Sequence, residues 1–334
     1  MHLILHIGTE KTGTTSFQHF CHDNHAALLA RGLLYPRDLG FRNHRFLSFI
    51  GMTLESADEA VRGMKLDTEE KLAAFIEEIT ARLDRQLAAA SGARVCVLSS
   101  EHLHSRLRRP EQLARLRDLL EPRFDSIEIC IHLRPQIDVA LSLASTQTRV
   151  GGAVRAGFFE QIRPETIYYN YNLLVAMWEE AFGPEAIRCI PFRQEPDFLS
   201  WLAAHLEFPL TGLARPAREN EALDVQVMAL VNALAESGRP ERIDFRILDQ
   251  LPVRQKLTLD RAMAERLQGR MTASNQTLVA RRPDLEPGQL QPDWARYPET
   301  GTFGLLEKPC AFSESLADLV GFYARQAKGL PPAG

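Results

Sequence analysis

Four short runs of consecutive apolar residues lie in the first two hundred positions of the chain. They cover residues 3–7, 95–99, 127–132 and 187–191. A strand with one exposed face shows alternating apolar and polar residues, whereas these runs are apolar almost throughout. The pattern therefore predicts buried strands of a parallel sheet that has helices on both faces.

Segments with apolar residues at helical spacing separate these runs. One helix is expected over residues 14–31, and another starts at a capping-box-like sequence at residues 67–70 and extends to about Ala90. Further helices are predicted after Pro110, over residues 169–182 and over residues 198–206. The alternation of strands and helices indicates an α/β fold.

The pattern changes after about residue 210. Strand-like runs cease there, and helical patterns over residues 222–236 and 259–271 are separated by connections that contain proline and glycine. Residues 283–298 carry four prolines and are expected to be irregular, and a last amphipathic helix is expected over residues 313–326. We therefore predict a core over residues 1–210 and a helical C-terminal extension over residues 211–334, packed on that core.

Composition and charge limit the class of protein. The 334 residues are 45% hydrophobic and 25% charged, with a formal net charge of −4. These values are typical of a soluble globular protein, and they argue against wholesale binding of nucleic acid. No apolar run is long enough to span a membrane, and no basic segment precedes the first strand. A cytoplasmic protein is expected.

The cysteines form no recognisable metal or disulfide motif. They are odd in number, widely spaced and without a CxxC pair, and they lie at Cys21, Cys96, Cys130, Cys189 and Cys310. We expect reduced thiols with mainly structural roles.

The segment between the first strand and the first helix carries the most informative motif. Gly8 and Gly13 have the G-x-x-x-x-G spacing of a phosphate-binding loop, in which backbone N–H groups and the helix N-terminus bind an anion. Hydroxyl groups that can add hydrogen bonds to a phosphate lie at Thr12, Thr14, Thr15 and Ser16.

The lysine of this loop is displaced. A nucleoside triphosphatase has lysine directly after the second glycine, where this chain has Thr14, and the lysine here is Lys11, within the loop. Lys11 can reach a bridging oxygen of a bound nucleotide. None of the apolar runs ends in the aspartate that would hold magnesium, so magnesium-dependent chemistry is not favoured.

A second candidate anion site follows the third apolar run. Arg134 lies at the carboxyl end of that strand, Pro135 suits the first turn of a helix, and Ser142 follows two turns later. Seven helical residues rise about 10 Å, which the arginine side chain can span, so Arg134 and Ser142 can converge on one phosphate group. Two separated anion sites suit a nucleotide 3′,5′-bisphosphate better than a triphosphate.

Together these motifs resemble the sulfotransferase superfamily, which uses 3′-phosphoadenosine 5′-phosphosulfate (PAPS). Residues 6–18, HIGTEKTGTTSFQ, resemble its 5′-phosphosulfate loop, and the Arg134 and Ser142 spacing resembles its 3′-phosphate motif. Together with LSSEHL at 98–103 and HLRP at 132–135, they are similar to bacterial sulfotransferase-family proteins. The resemblance covers about residues 1–200 and implies a P-loop-type three-layer α/β sandwich with a central parallel sheet.

The resemblance also implies roles for individual residues. Lys11 would contact the phosphosulfate bridge and assist departure of the 5′-phosphate, and Arg134 and Ser142 would bind the 3′-phosphate. Arg218 lies where the superfamily folds a loop over the nucleotide. The 5′-phosphate and sulfuryl oxygens would be bound by Thr12, Gly13, Thr14, Thr15 and Ser16.

The base for the acceptor is expected directly after the second apolar run. Superfamily members use a glutamate or histidine there, and this chain has Glu101 and His102, of which we favour Glu101. His44 is expected to contact the acceptor. The histidines at positions 19, 22 and 25 have no convincing partner ligands, so no metal is proposed.

These observations predict a PAPS-dependent sulfotransferase that acts on a hydroxyl or amine of a small molecule or glycan, a carbohydrate being one candidate. Two alternatives stay open. One is a P-loop kinase of small molecules, and the other is a non-catalytic nucleotide-binding module on the same fold.

Overall fold

The computed structural model describes residues 1–192, 197–215, 222–236 and 245–308, together with residues 315, 316, 319, 323 and 326. The strands of this part of the chain are β1 (His2–Gly8), β2 (Leu33–Leu34), β3 (Val95–Ser99), β4 (Ser126–Leu133) and β5 (Ile187–Pro191). Its α-helices are α1 (Thr14–Asp23), α2 (His25–Ala30), α3 (Leu47–Gly51), α4 (Glu59–Gly63), α5 (Glu69–Ala89), α6 (His102–Arg106), α7 (Pro110–Leu120), α8 (Gln136–Arg149), α9 (Ala156–Phe159), α10 (Tyr171–Phe182), α11 (Phe198–His205), α12 (Val225–Glu236), α13 (Arg261–Gly269) and α14 (Thr272–Arg281).

The strands form one parallel sheet in the order β2-β3-β1-β4-β5. The central strand is β1, whose Leu5 pairs with Leu98 of β3 and Ile129 of β4. This confirms the predicted α/β fold and the four predicted strands. The fifth strand, β2, was not predicted. That strand has only two residues and carries too short a pattern to be predicted. The loops after β1, β3 and β4 follow the carboxyl ends of neighbouring strands, and parallel α/β proteins bind ligands at these ends.

Helices cover the sheet because its strands are apolar on both faces. Every residue of β1 after His2 is buried, although successive side chains point to opposite faces. On one face, Ile4 belongs to an apolar cluster with Phe17 of α1 and Leu202 of α11. Helix α10 contacts β4 and β5, and α7 packs against α10.

The edge strand β5 is protected by two charged side chains. Arg282 Nη2 donates a hydrogen bond of 2.6 Å to the Ile187 carbonyl oxygen, and Asp284 Oδ2 accepts one of 2.6 Å from the Cys189 N–H. Arg282 and Asp284 also form an ion pair. These side chains occupy backbone groups that an edge strand otherwise leaves open to another chain.

Several predicted helix bounds need correction. The helix expected over residues 14–31 is divided at Asn24, whose side-chain amide donates to the carbonyl oxygens of Phe20 and Ala214 and accepts from the Ala214 N–H. Helices α3, α4, α6, α9 and α14 do not correspond to any predicted helix. The capping sequence before α5 is confirmed, since the Thr68 hydroxyl accepts from the Lys71 N–H. The helix expected over residues 313–326 lies largely outside the described residues.

The chain forms two compact units, each of discontinuous segments. The first comprises Met1–Arg134, Asn170–Arg218 and Ser274–Leu290, and the second comprises Pro135–Tyr169, Glu219–Ala273 and Gln291–Gly334. The sheet belongs entirely to the first unit. The second is mainly helical in its described residues and has its own apolar core, which includes Val139 of α8 and Met228 of α12. The predicted division into a core over residues 1–210 and a helical extension over residues 211–334, packed on that core, stays a prediction.

The described cysteines, Cys21, Cys96, Cys130 and Cys189, are buried and free. Cys310 lies outside the described residues. Among the helices of the described segments, none has the length and apolarity needed to cross a bilayer.

Candidate functional site

The loop between β1 and α1 is a rigid turn with three residues in the left-handed region of backbone space. Their φ angles are 77° at Gly8, 65° at Lys11 and 79° at Gly13. Thr9 fixes one side of the loop, because both its N–H and its hydroxyl donate to the His132 carbonyl oxygen, at 2.7 and 3.0 Å. The Thr12 hydroxyl closes the turn on the Thr9 carbonyl oxygen at 2.6 Å.

The N-terminus of α1 is suited to an anion. Its N-cap residue is Gly13, which provides no side-chain cap, and its first turn carries no acidic residue. The first N–H groups of a helix need acceptors from outside the helix, and the helix dipole favours a negative charge there. A Cβ added to Gly13 would meet no atom within 4 Å, so the space next to the Gly13 Cα is open. These features fit the phosphate that the sequence motif predicts.

Glu101 lies directly against this loop. Strand β3 ends at Ser99, and the Ser100 N–H then donates to the His6 carbonyl oxygen at 2.9 Å. A Cβ added to Gly8 would lie 3.2 Å from the Glu101 Cβ, so a glycine at position 8 allows the two segments to approach. The structure thus brings Glu101 and the loop between β1 and α1 together, as the parallel topology predicts.

Two side chains contact or approach the Glu101 carboxylate. Gln18 Nε2 of α1 donates to Glu101 Oε2 at 2.8 Å. His102 Nε2 lies 3.9 Å from Glu101 Oε1. Burial holds the pKa of His102 below its ordinary value, although the Glu101 charge opposes this, so the ring is neutral at neutral pH. Both acid–base candidates predicted from the sequence therefore lie side by side.

Arg134 lies on the other side of the loop. Its Nη1 donates to the Lys11 carbonyl oxygen at 2.6 Å, and its guanidinium carbon lies 4.9 Å from the centre of the Phe192 ring. The Tyr171 hydroxyl donates to the Arg134 carbonyl oxygen at 2.6 Å. Arg134 thus joins the end of β4 to the loop that carries Lys11. Its binding of a 3′-phosphate stays a prediction.

The remaining residues predicted to contact the nucleotide are Ser142 and Arg218. Ser142 lies on α8, so the helix predicted after Pro135 is confirmed, but this helix belongs to the second unit. Arg218 lies outside the described residues. The roles of both residues stay predictions.

His44 is a buried histidine whose ring nitrogens are both occupied. It is 1% exposed, its Nε2 donates to the Pro36 carbonyl oxygen at 2.7 Å, and its Nδ1 accepts from the Ser99 N–H at 2.9 Å. Burial lowers its pKa to about 4, so the ring is neutral at neutral pH. These contacts hold the His44 ring in place, and its contact with an acceptor stays a prediction.

Gln18 is the residue of this site that the sequence analysis missed. It lies within the motif of residues 6–18, but no local pattern singles out a glutamine on a helix. It is 2% exposed, and its partner Glu101 is 83 residues away in the sequence. Its helical position, one turn after the loop, and its polar side chain on a buried face were the available signals.

Among the described residues, no group of three or more histidine, cysteine or acidic side chains is arranged to hold a metal ion.

Comparisons with known proteins find one similar solved structure. No protein-family model matches the chain, and a search of curated proteins finds no match. The crystal structure of a sulfotransferase from Alicyclobacillus acidocaldarius is similar, with 17% sequence identity, a TM-score of 0.40, and coverage of 72% of this chain and 94% of that chain. A similarity at this level carries no argument about activity.

Proposed function

We propose that this protein is a sulfotransferase that transfers the sulfuryl group of PAPS to a hydroxyl or amine of a small-molecule or glycan acceptor. The observation that carries the proposal is the placement of Glu101 against Gly8, at the loop that holds Lys11. Three groups thus lie at the carboxyl ends of the strands. They are an uncapped helix N-terminus for a phosphate, a lysine for a leaving oxygen, and a carboxylate for an incoming hydroxyl.

The proposed reaction exchanges one bond to sulfur for another. The acceptor oxygen forms a bond to sulfur, the bond between sulfur and the phosphate oxygen breaks, and the hydroxyl proton passes to the Glu101 carboxylate. 3′-Phosphoadenosine 5′-phosphate (PAP) leaves. Lys11 stabilises the negative charge that develops on its departing oxygen. Charge stabilisation and alignment supply most of the rate in transfers of this kind.

The other predicted contacts have separate functions in this proposal. Backbone N–H groups of the loop and of the first turn of α1 bind the 5′-phosphate, together with the hydroxyls of Thr14, Thr15 and Ser16. The Thr12 hydroxyl donates to the Thr9 carbonyl oxygen, so in this proposal it holds the shape of the loop. Arg134 binds the 3′-phosphate as a bidentate cation, which suits a terminal phosphate better than a single ammonium.

The experiment is a transfer assay with an unfractionated extract as the source of acceptor. The protein is incubated with ³⁵S-labelled PAPS and a bacterial metabolite and glycan extract, and labelled products are separated and identified by mass spectrometry. We expect labelled products with the wild type and at least a ~100-fold lower yield with Glu101→Gln, as is usual when a general base is removed. A matched control is Glu111→Gln, which removes an exposed carboxylate from the first turn of α7.

Two results would contradict the proposal in different ways, and a third would change the assignment of the base. Phosphorylated products formed from Mg-ATP, with no transfer from PAPS, would indicate the small-molecule kinase. Binding of PAP without transfer to any fraction of the extract would indicate a non-catalytic nucleotide-binding module. Unchanged transfer by Glu101→Gln would move the base to His102.

A further inference from the structure

Gln18 is a buried amide whose two N–H groups are both used next to the site. Its Nε2 donates to Glu101 Oε2 at 2.8 Å and to the Ser99 hydroxyl at 3.2 Å. A carboxylate can only accept hydrogen bonds, so the nitrogen of the amide, and not its oxygen, must face Glu101. This glutamine therefore connects α1, the end of β3 and the candidate base.

The partners of Gln18 are fixed in turn. The Ser99 hydroxyl forms a hydrogen bond of 2.9 Å with His6 Nδ1, and the Ser99 N–H donates to His44 Nδ1. His6 and Ser99 are fully buried. A buried polar chain of this kind is costly when one member loses its partner, so it holds Gln18 in one orientation.

The contact determines which oxygen of Glu101 is available. Gln18 occupies Oε2, and Oε1 is the oxygen on the side of His102. A carboxylate held through one oxygen cannot rotate freely, so the other oxygen keeps a constant direction. An acceptor hydroxyl aligned with a constant oxygen reacts faster than one that meets a rotating group.

The same helix also carries the phosphate site. Helix α1 begins at Thr14, directly after the loop, and Gln18 lies on its next turn. We propose that Gln18 is a positioning residue that aligns Oε1 of Glu101 relative to the phosphate loop, so that one rigid helix sets the distance between the bound sulfuryl donor and the base. This inference rests on the proposed function.

The contact is tested first by stability, which needs no substrate. Gln18→Glu places two carboxylates together and is expected to lower the melting temperature by several degrees. The paired exchange, Gln18→Glu with Glu101→Gln, restores an amide–carboxylate contact with the roles reversed, and it is expected to recover most of the loss. If the melting temperature of the paired variant falls by the sum of the decreases in the two single variants, that result contradicts the contact.

The positioning role is tested by separating binding from turnover. Gln18→Met keeps the length of the side chain and removes the donor. At saturating PAPS and a fixed amount of extract, we expect the initial rate of labelled-product formation to fall about tenfold or more, while the Kd for PAP stays within about twofold of the wild type. A matched control is Gln112→Met, which removes another buried amide of the first unit, bonded to the N–H groups of Arg108 and Arg109.

The outcomes distinguish this inference from the proposed function. Formation of labelled product at equal rates by the wild type and by Gln18→Met overturns the positioning role alone. An equal fold loss of PAP affinity and of the transfer rate also overturns it, because that result indicates damage to the loop between β1 and α1. If the wild type transfers nothing from PAPS, the proposed function and this inference both fail.

Discussion

The Arg134 side chain donates a hydrogen bond of 2.6 Å to the carbonyl oxygen of Lys11. Lys11 has a positive φ, which is uncommon for a residue other than glycine. Arg134 therefore helps to hold the loop between β1 and α1 in its observed conformation at Lys11. The two residues, 123 positions apart in the sequence, come from the two motifs that the sequence analysis identified separately.

The contact predicts a double effect of Arg134→Ala. The variant loses a charge-assisted hydrogen bond, so we expect a decrease of about 1–2 kcal/mol in the free energy of unfolding. It also loses the proposed contact with the 3′-phosphate, so we expect at least a ~10-fold weaker Kd for PAP. Chemical denaturation and calorimetric titration measure the two effects.

Arg109→Ala is the control for Arg134→Ala, because Arg109 is a mostly exposed arginine at the start of α7. It is expected to leave both quantities unchanged. Unaltered PAP affinity in the Arg134→Ala variant would contradict the proposed contact between Arg134 and the 3′-phosphate.

His44 predicts a pH dependence of stability. Its pKa is lowered from 6.5 to about 4 by burial, so between these values the unfolded chain binds a proton that the folded chain does not. The stability that the neutral ring contributes is complete above pH 6.5 and is lost as the pH falls towards 4. The loss is about 3 kcal/mol by pH 4.

The substitution His44→Gln removes this titration and keeps one donor and one acceptor. Unfolding in urea at pH 7 and pH 4 is expected to show a smaller loss of stability for this variant than for the wild type. Equal pH dependence in His44→Gln and the wild type would contradict the buried neutral ring.

The fold was predictable where the pattern is strong and continuous. Four buried runs and the helices between them were sufficient for a parallel α/β sheet. The pattern was insufficient for β2, which has two residues, and for the break in the first helix. That break depends on hydrogen bonds between Asn24 and Ala214, which are 190 residues apart.

The site was predictable only in part, for a similar reason. The loop and the position of Glu101 follow from motifs at the ends of adjacent strands. Their mutual contact at Gly8 follows from parallel topology. The partners of Gln18 and His44 are set by packing between distant segments, so the sequence identified neither the amide that holds Glu101 nor the burial of His44.

The central claim is that the loop with Lys11 binds a nucleotide 3′,5′-bisphosphate without magnesium. The most direct measurement is the melting temperature with PAP in the presence of a chelator, compared with Mg-ATP, for the wild type, Lys11→Ala and Lys65→Ala. Lys65 is the matched control, because it is an exposed lysine that also has a positive φ, of 58°. We predict that PAP raises the melting temperature of the wild type and of Lys65→Ala, and that Lys11→Ala loses most of this shift. No shift with PAP, together with a clear shift with Mg-ATP, would contradict the account.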